Sequence, residues 1–177
     1  NWETCIVTDE GNPVKKGDVG ELVVRGDGVM REYYKNPEAT AKALRNGWLY
    51  TGDMAKQDED GFIFLVDRKK DLIISGGENI FPVEIEDFLR TLTGVKDIAA
   101  IGYPDERLGE VVTVIIDVVP GKTLTEEDVL KYCEKLPKYK RPKKVFFGEV
   151  PRNPTGKIEK PKLRKKYIGM EESFKIK

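Results

Sequence analysis

The sequence predicts an α/β (α+β) protein: a small domain with a sheet flanked by helices, preceded by a β-rich piece of a larger domain. Three observations carry this. Residues 1–66 hold alternating, β-branched runs and only one short helix pattern. Residues 67–71, DRKKD, are five charged residues in a row, a polar break in the chain. Beyond them, strand-like and helix-like segments alternate to the end. The expected boundaries are 1–66 for the end of the large domain, 67–70 for a hinge and 71–177 for the small domain.

Taken in order, ETCIVT (3–8) and VGELVVRG (19–26) read as strands around the turn chemistry of GNPVKKGD. NPEATAKALRNG reads as a short helix: Asn36 caps it, Pro37 takes the first turn and Gly47 follows its end. WLYTGDMAKQ and FIFLV, joined by DEDG, read as a hairpin. LIIS is a short strand and SGGENIFP a loop. Pro82 opens the helix PVEIEDFLRTL, with Val83, Ile85, Phe88, Leu89 and Leu92 as its apolar positions. Glu84, Glu86 and Asp87 lie in its early turns, where acids suit the positive end of the helix dipole. VKDIAAIGY and EVVTVIIDVV are strand-like, around the loop PDERLG. TEEDVLKYCEKL is a helix capped by Thr125, KKVFFGEV a third strand and KPKLRKKYI a closing helix.

Composition narrows the chemistry. The chain has no histidine and two cysteines, Cys5 and Cys133, with no CxxC. That rules out Ser-His-Asp and Cys-His catalysis within it and argues against a zinc site or a disulfide scaffold. It fits a reducing compartment, and a cytoplasmic location is expected. No apolar run of about 18 residues exists, so no membrane span is expected. The chain opens on NWETC, without Met or a signal-peptide pattern, and reads as part of a longer protein.

The net charge of zero hides a polarity. Residues 137–166 carry twelve Lys or Arg against Glu149 and Glu159, so this block stands at +10 and the remainder at −10. Such a block suits a polyanion (nucleic acid, a nucleotide or CoA) or is a solvated basic face.

Four features then recur in one order: GWLYTGD (47–53), DRKKDLIISGGENIFPVEIE (67–86), IGYPDERLGE (101–110) and PRNPTGKIEK (151–160). With GVMREYYKNPEAT (28–40), they resemble the C-terminal part of the adenylate-forming (AMP-binding) ligases over nearly the whole chain. The GGENIFPVEIE wording is most similar to the fatty-acyl and aryl acyl-CoA synthetases. The resemblance implies an ATP-dependent acid–CoA ligase. A carboxylate attacks the α-phosphate of ATP, giving an acyl-adenylate and pyrophosphate. The CoA thiol then takes the acyl group and AMP leaves. It also implies a small domain that swings between the two steps.

The same resemblance implies residue roles. Asp53 would accept both ribose hydroxyls of ATP, work a carboxylate suits because it takes two O–H donors at once. Thr51 would lie near the phosphates and Arg68 beside ribose and phosphates, with Lys70 at the hinge. Gly76, Gly77 and Glu78 would face the site in the thioester step, where paired glycines let backbone approach the pantetheine arm. Leu108 would line that arm. Tyr139, Arg141 and Lys143 match positions that hold the CoA nucleotide in some relatives. An aromatic ring stacks on adenine and cations meet its phosphates. Lys157, after Gly156, would bridge the attacking carboxylate and the α-phosphate, stabilising charge that builds in displacement. Its loop is expected to be mobile.

Mg²⁺ would be held by ATP phosphates and an acid of the large domain, so no metal ligand is named here. The family's phosphate loop and acyl pocket lie upstream of the motifs present, so the chain alone is expected not to turn over. Expected partners are a small carboxylic acid, ATP, CoA and the chain's own N-terminal domain, with no nucleic acid. A homodimer through apolar surface of residues 1–66 stays open. Two other readings remain: a non-catalytic CoA- or partner-binding module of ligase-like fold, and a ligase whose acceptor is a carrier-protein pantetheine.

Overall fold

In the computed structural model, which describes residues 2–168, the chain divides into two compact units, Asn1–Lys70 and Asp71–Lys177. Asn1 and residues 169–177, the end of the expected small domain, lie outside the described residues.

The first unit is a five-stranded antiparallel sheet. β1 (Trp2–Val7) pairs with β2 (Gly20–Gly26), and β2 with β4 (Trp48–Gln57). β5 (Ile63–Arg68) completes the expected hairpin with β4. α1 (Pro37–Ala43) begins as its sequence predicts, with Asn36 Oδ1 accepting from the Ala39 N–H at 3.0 Å. Its end differs. Leu44 and Arg45 form a two-residue strand, β3, paired with Leu49 and Trp48. Asn46 (φ +51°) and Gly47 (φ +79°) are the left-handed pair of that hairpin's turn. Asn-Gly is the strongest short hairpin signal, so Gly47 serves a turn and not the helix end. α1 contributes no buried residue, and the core is small: Ile6, Val7, Val23, Met54 and Ala55.

The second unit is a sheet covered on both faces. β8 (Val95–Asp105) and β9 (Gly109–Val118) form a long antiparallel hairpin. β10 (Lys144–Phe147) joins β9 in parallel. A parallel pair needs a crossover, and α3 (Glu126–Tyr132) supplies it. Thr125 and Asp128 cap α3 reciprocally, a full capping box. Ile98, Ala100, Val112, Val114 and Ile116 meet Ile85 and Leu89 of α2 (Pro82–Arg90) and Val129 of α3 on one face. Ala99, Ile101 and Ile115 meet Val150 and Leu163 on the other, the last from α4 (Lys160–Ile168). Burial on both faces is why β8 and β9 read as apolar runs and not as alternation.

SGGENIFP is a correction. Gly76 (φ +59°) and Gly77 (φ +87°) form a two-residue turn between β6 (Ile73–Ser75) and β7 (Glu78–Ile80), not an open loop. Added Cβ at Gly77 would touch nothing, so only its left-handed backbone requires glycine. Gly77→Val is therefore expected to cost about 1–2 kcal/mol. Chemical denaturation would read this as a lower midpoint at unchanged m.

Among the described residues, no helix is long and apolar enough to cross a membrane.

Candidate functional site

In the first unit the structure brings Thr51, Asp53 and Arg68 together. Asp53 and Arg68 face each other across β4 and β5, and Arg68 Nη1 donates to Asp53 Oδ1 at 2.6 Å. Gly52 (φ +73°) and an irregularity in register at Met54/Ala55 turn the chain here, so Asp53 is only half-buried. The Thr51 hydroxyl is committed locally: it donates to the Leu22 carbonyl at 2.7 Å and accepts from the Asp53 N–H at 3.1 Å. It shapes the turn that presents the carboxylate.

Glu21 was not legible as part of this arrangement. Its buried carboxylate accepts from the Gly52 N–H at 3.1 Å and from Lys69 Nζ at 2.8 Å, and Lys69 also pairs with Asp9 at 2.6 Å. An acid on the inward side of a strand, in register with Val23, was the available signal. Lys70 is exposed in the 3-10 turn Lys69–Asp71, and Asp71 is buried against Arg164 Nη2 at 2.6 Å.

In the second unit, Gly76, Gly77, Glu78 and Leu108 form one neighbourhood. The Gly76 N–H donates to the Leu108 carbonyl at 2.8 Å, and a Cβ on Gly76 would lie 3.2 Å from Leu108 Cδ2. Glu78 pairs with Ser75 across the turn. Glu110 supports this edge by accepting the Ile74 N–H at 3.0 Å. The 3-10 turn Lys138–Lys140 packs beside β7, so Tyr139 stands near this set, half-exposed. Lys143 is exposed on the same segment. Arg141 is engaged differently: Nε and Nη2 donate to the carbonyls of Leu136 and Glu134 at 2.8 and 2.6 Å, closing the end of the preceding helical turn. Of the basic block, Lys140 pairs with Glu84, and Lys160 with Glu86.

Lys157 lies elsewhere. Its neighbour Ile158 packs on the α4 face of the sheet, whereas Ile73 and Ile80, flanking the Gly76–Gly77 turn, belong to the core on the α2 and α3 face. The Lys157 side chain is exposed, and among the described residues its ammonium has no ion-pair or hydrogen-bond partner. Its loop is closed by hydrogen bonds. Asn153 Oδ1 accepts from the Thr155 and Lys157 N–H groups at 3.0 and 2.9 Å, and Arg152 grips Asp97.

The Arg152 hydrogen bond holds the Asp97 carboxyl below the usual carboxylate range, outweighing desolvation; the Ile98 N–H assists. A lowered carboxylate adds stability that is present above its unfolded value, near 3.9, and is lost as pH falls through the folded one. In a carbon-detected NMR titration, Asp97 is expected to titrate below that reference and to move upward in Arg152→Ala.

No group of three or more His, Cys, Asp or Glu able to hold a metal ion occurs among the described residues.

Comparison with known proteins gives this geometry its setting. Residues 84–157 match the AMP-binding enzyme C-terminal domain. The long-chain-fatty-acid–CoA ligase FadD13 of Mycobacterium tuberculosis is 44% identical over 167 residues, covering 93% of this chain and 33% of that protein. The 4-hydroxybutyrate–CoA ligase 2 of Metallosphaera sedula is 48% identical over 167 residues, covering 93% and 30%. The crystal structure of ATP-bound MatB from Rhodopseudomonas palustris superposes with a TM-score of 0.88 at 37% identity, over 94% of this chain and 34% of that one. The chain thus spans about a third of the length of the relatives it matches. On motifs, fold and relatives together, it belongs to the adenylate-forming, AMP-binding acyl-CoA synthetases and ligases and corresponds to their C-terminal part.

Proposed function

We propose that the chain is the C-terminal third of an ATP-dependent acid–CoA ligase working in two half-reactions, and that it supplies different residues to each. The observation that carries this is the separation within the second unit. Ile158, next to Lys157, packs on the α4 face of the sheet, and the Gly76–Gly77 turn joins β6 and β7, strands of that sheet whose Ile73 and Ile80 face the α2 and α3 core. Two chemically distinct sets on one small body suit two successive steps.

In the first step a carboxylate oxygen of the acid attacks the α-phosphorus of ATP, and the bond to the β-phosphate oxygen breaks. Pyrophosphate leaves with that electron pair. The exposed Lys157 ammonium stabilises the negative charge gathering on the phosphoryl oxygens. Asp53 holds the ribose. One of its oxygens is fixed by Arg68, and a carboxylate keeps acceptor capacity beyond that bond. Arg68 orients Asp53 and adds positive charge beside it. Thr51, through the Asp53 N–H, keeps the turn in shape.

In the second step the CoA sulfur attacks the acyl carbonyl and AMP departs, with the thiol proton released. The Gly76–Gly77 turn gives backbone access to the pantetheine arm, Leu108 lines it, and Tyr139 and Lys143 meet the nucleotide. Arg141 acts by holding their segment through the Leu136 and Glu134 carbonyls. Mg²⁺ would travel with the ATP phosphates. Among the described residues no group of three or more His, Cys, Asp or Glu offers it a site.

The first unit leaves the large apolar side chains of Trp2, Phe62, Phe64 and Leu65 exposed, which supports the view that further ligase structure completes it. The relatives named above carry acids as different as long-chain fatty acids and 4-hydroxybutyrate, so the acid is set outside this chain.

The test is AMP release from Mg·ATP and CoA with short, medium, long and aromatic acids, for this chain and for the whole ligase. The whole ligase is expected to be active with one acid class and the chain alone to be silent. Pyrophosphate exchange without CoA-dependent AMP release would point to a carrier-protein acceptor. Silence of the whole ligase in both assays would favour the binding-module reading.

A further inference from the structure

Segment 151–158 is bonded more heavily than a surface loop with two prolines and a glycine requires. Arg152 uses three donors. Nε reaches Asp97 Oδ2 at 2.6 Å, Nη2 reaches Asp97 Oδ1 at 2.8 Å, and Nη1 donates to the Gly156 carbonyl. The first two make a fork-to-fork pair, the geometry that fixes a guanidinium most strictly. Asp97 sits on β8, where the next four residues are fully buried, so its base is rigid. The third donor falls on the carbonyl immediately before Lys157. The Lys157 N–H is held in turn by Asn153 Oδ1 at 2.9 Å, and Arg152 and Ile158 close the loop as a bridge.

The consequence is specific to Lys157. No group among the described residues holds its ammonium, so what these residues fix is its backbone. Both peptide groups flanking the Lys157 Cα carry hydrogen bonds that do so: the Gly156 carbonyl on one side, and on the other the Lys157 carbonyl, which accepts from the Asn153 N–H at 2.9 Å.

We propose that Arg152, braced by Asp97, is a positioning residue that aims Lys157 for acyl-adenylate formation. This rests on the reading of Lys157 given under Proposed function. A misplacement of about 1 Å in a group that stabilises a transition state costs up to about a hundredfold in rate. Lysine at 152 would keep the charge and lose the fork.

The experiment uses the whole ligase and separates the half-reactions. Pyrophosphate–ATP exchange reports adenylation; thioester formation from supplied acyl-adenylate and CoA reports the second step. Arg152→Ala and Asp97→Ala are expected to slow exchange by about 10–100-fold and to leave the second step within about twofold. Arg152→Lys should fall between them and wild type. In a Lys157→Ala background, Arg152→Ala should cost nothing further, because residues acting through one group are not additive. Should Arg152→Ala melt below the assay temperature, the isosteric Asp97→Asn carries the same comparison.

Equal slowing of both half-reactions would overturn the proposal in favour of a purely structural staple. So would an Arg152→Ala penalty that persists without Lys157, or unchanged exchange in Arg152→Ala while Lys157→Ala abolishes it. Normal exchange in Lys157→Ala would instead overturn the adenylation role of Lys157, and this inference with it.

Discussion

Lys157→Ala in the whole ligase is expected to slow acyl-adenylate formation by about 10²–10³-fold, the usual effect of removing one preorganised stabiliser of developing charge. The affinity for ATP should change far less, because Asp53 and Arg68 belong to the other compact unit and keep their 2.6 Å pair. Thioester formation from supplied acyl-adenylate should persist, since Gly76, Gly77 and Leu108 are held by hydrogen bonds that do not involve Lys157. Single-turnover measurement of each half-reaction checks this. Comparable loss in both would mean that Lys157 has no step-specific role. An exposed side chain with no partner among the described residues is also a mild site for folding, so the melting temperature should stay within about 2 °C of wild type.

Glu86→Ala is expected to have the largest effect on stability, about 3–5 kcal/mol, because it strands a buried cation. Glu86 Oε1 pairs with Lys160 Nζ at 2.9 Å and accepts the Ala100 N–H at 2.8 Å, with both side chains below a tenth exposed. Three elements meet at this carboxylate: α2, β8 and the start of α4. Its loss leaves the Lys160 ammonium and the Ala100 N–H unsatisfied in the interior. The double change Glu86→Leu/Lys160→Met should recover much of the loss, since replacing both partners by apolar groups is often neutral or better. Denaturant unfolding of the chain measures both. A cost for Glu86→Ala below about 1 kcal/mol would place the pair among ordinary surface bridges.

Glu86 also illustrates what a linear reading misses. In PVEIEDFLR it looks like one of several acids suited to the helix dipole. In the structure Pro82, Ile85, Glu86 and Leu89 are the buried face of α2, an i, i+3, i+4, i+7 stripe with a carboxylate in it. A charge on an apolar stripe implies a buried partner, and that inference was open from the sequence. The same holds for Gly76–Gly77 and Asn46–Gly47, two-residue pairs of a kind that signals a hairpin turn. The site residues fared unevenly. Asp53 with Arg68, and Gly76 with Leu108, came together as neighbours. Arg141 donates to backbone carbonyls, and Lys157 stands on a hydrogen-bonded loop.

By itself the sequence determined most of the longer elements, the family and the residue types available for chemistry. Those properties are local: periodicity, turn residues and short motifs lie within a few residues of one another. Only the tertiary structure decided the ion pairs Asp71–Arg164, Glu86–Lys160 and Asp97–Arg152, which join positions far apart in the chain. A buried or forked pair is defined by burial and by partner geometry. Neither exists until β8, α2 and α4 have packed, so a stretch of sequence such as PVEIEDFLR can imply that a partner exists but not which residue it is.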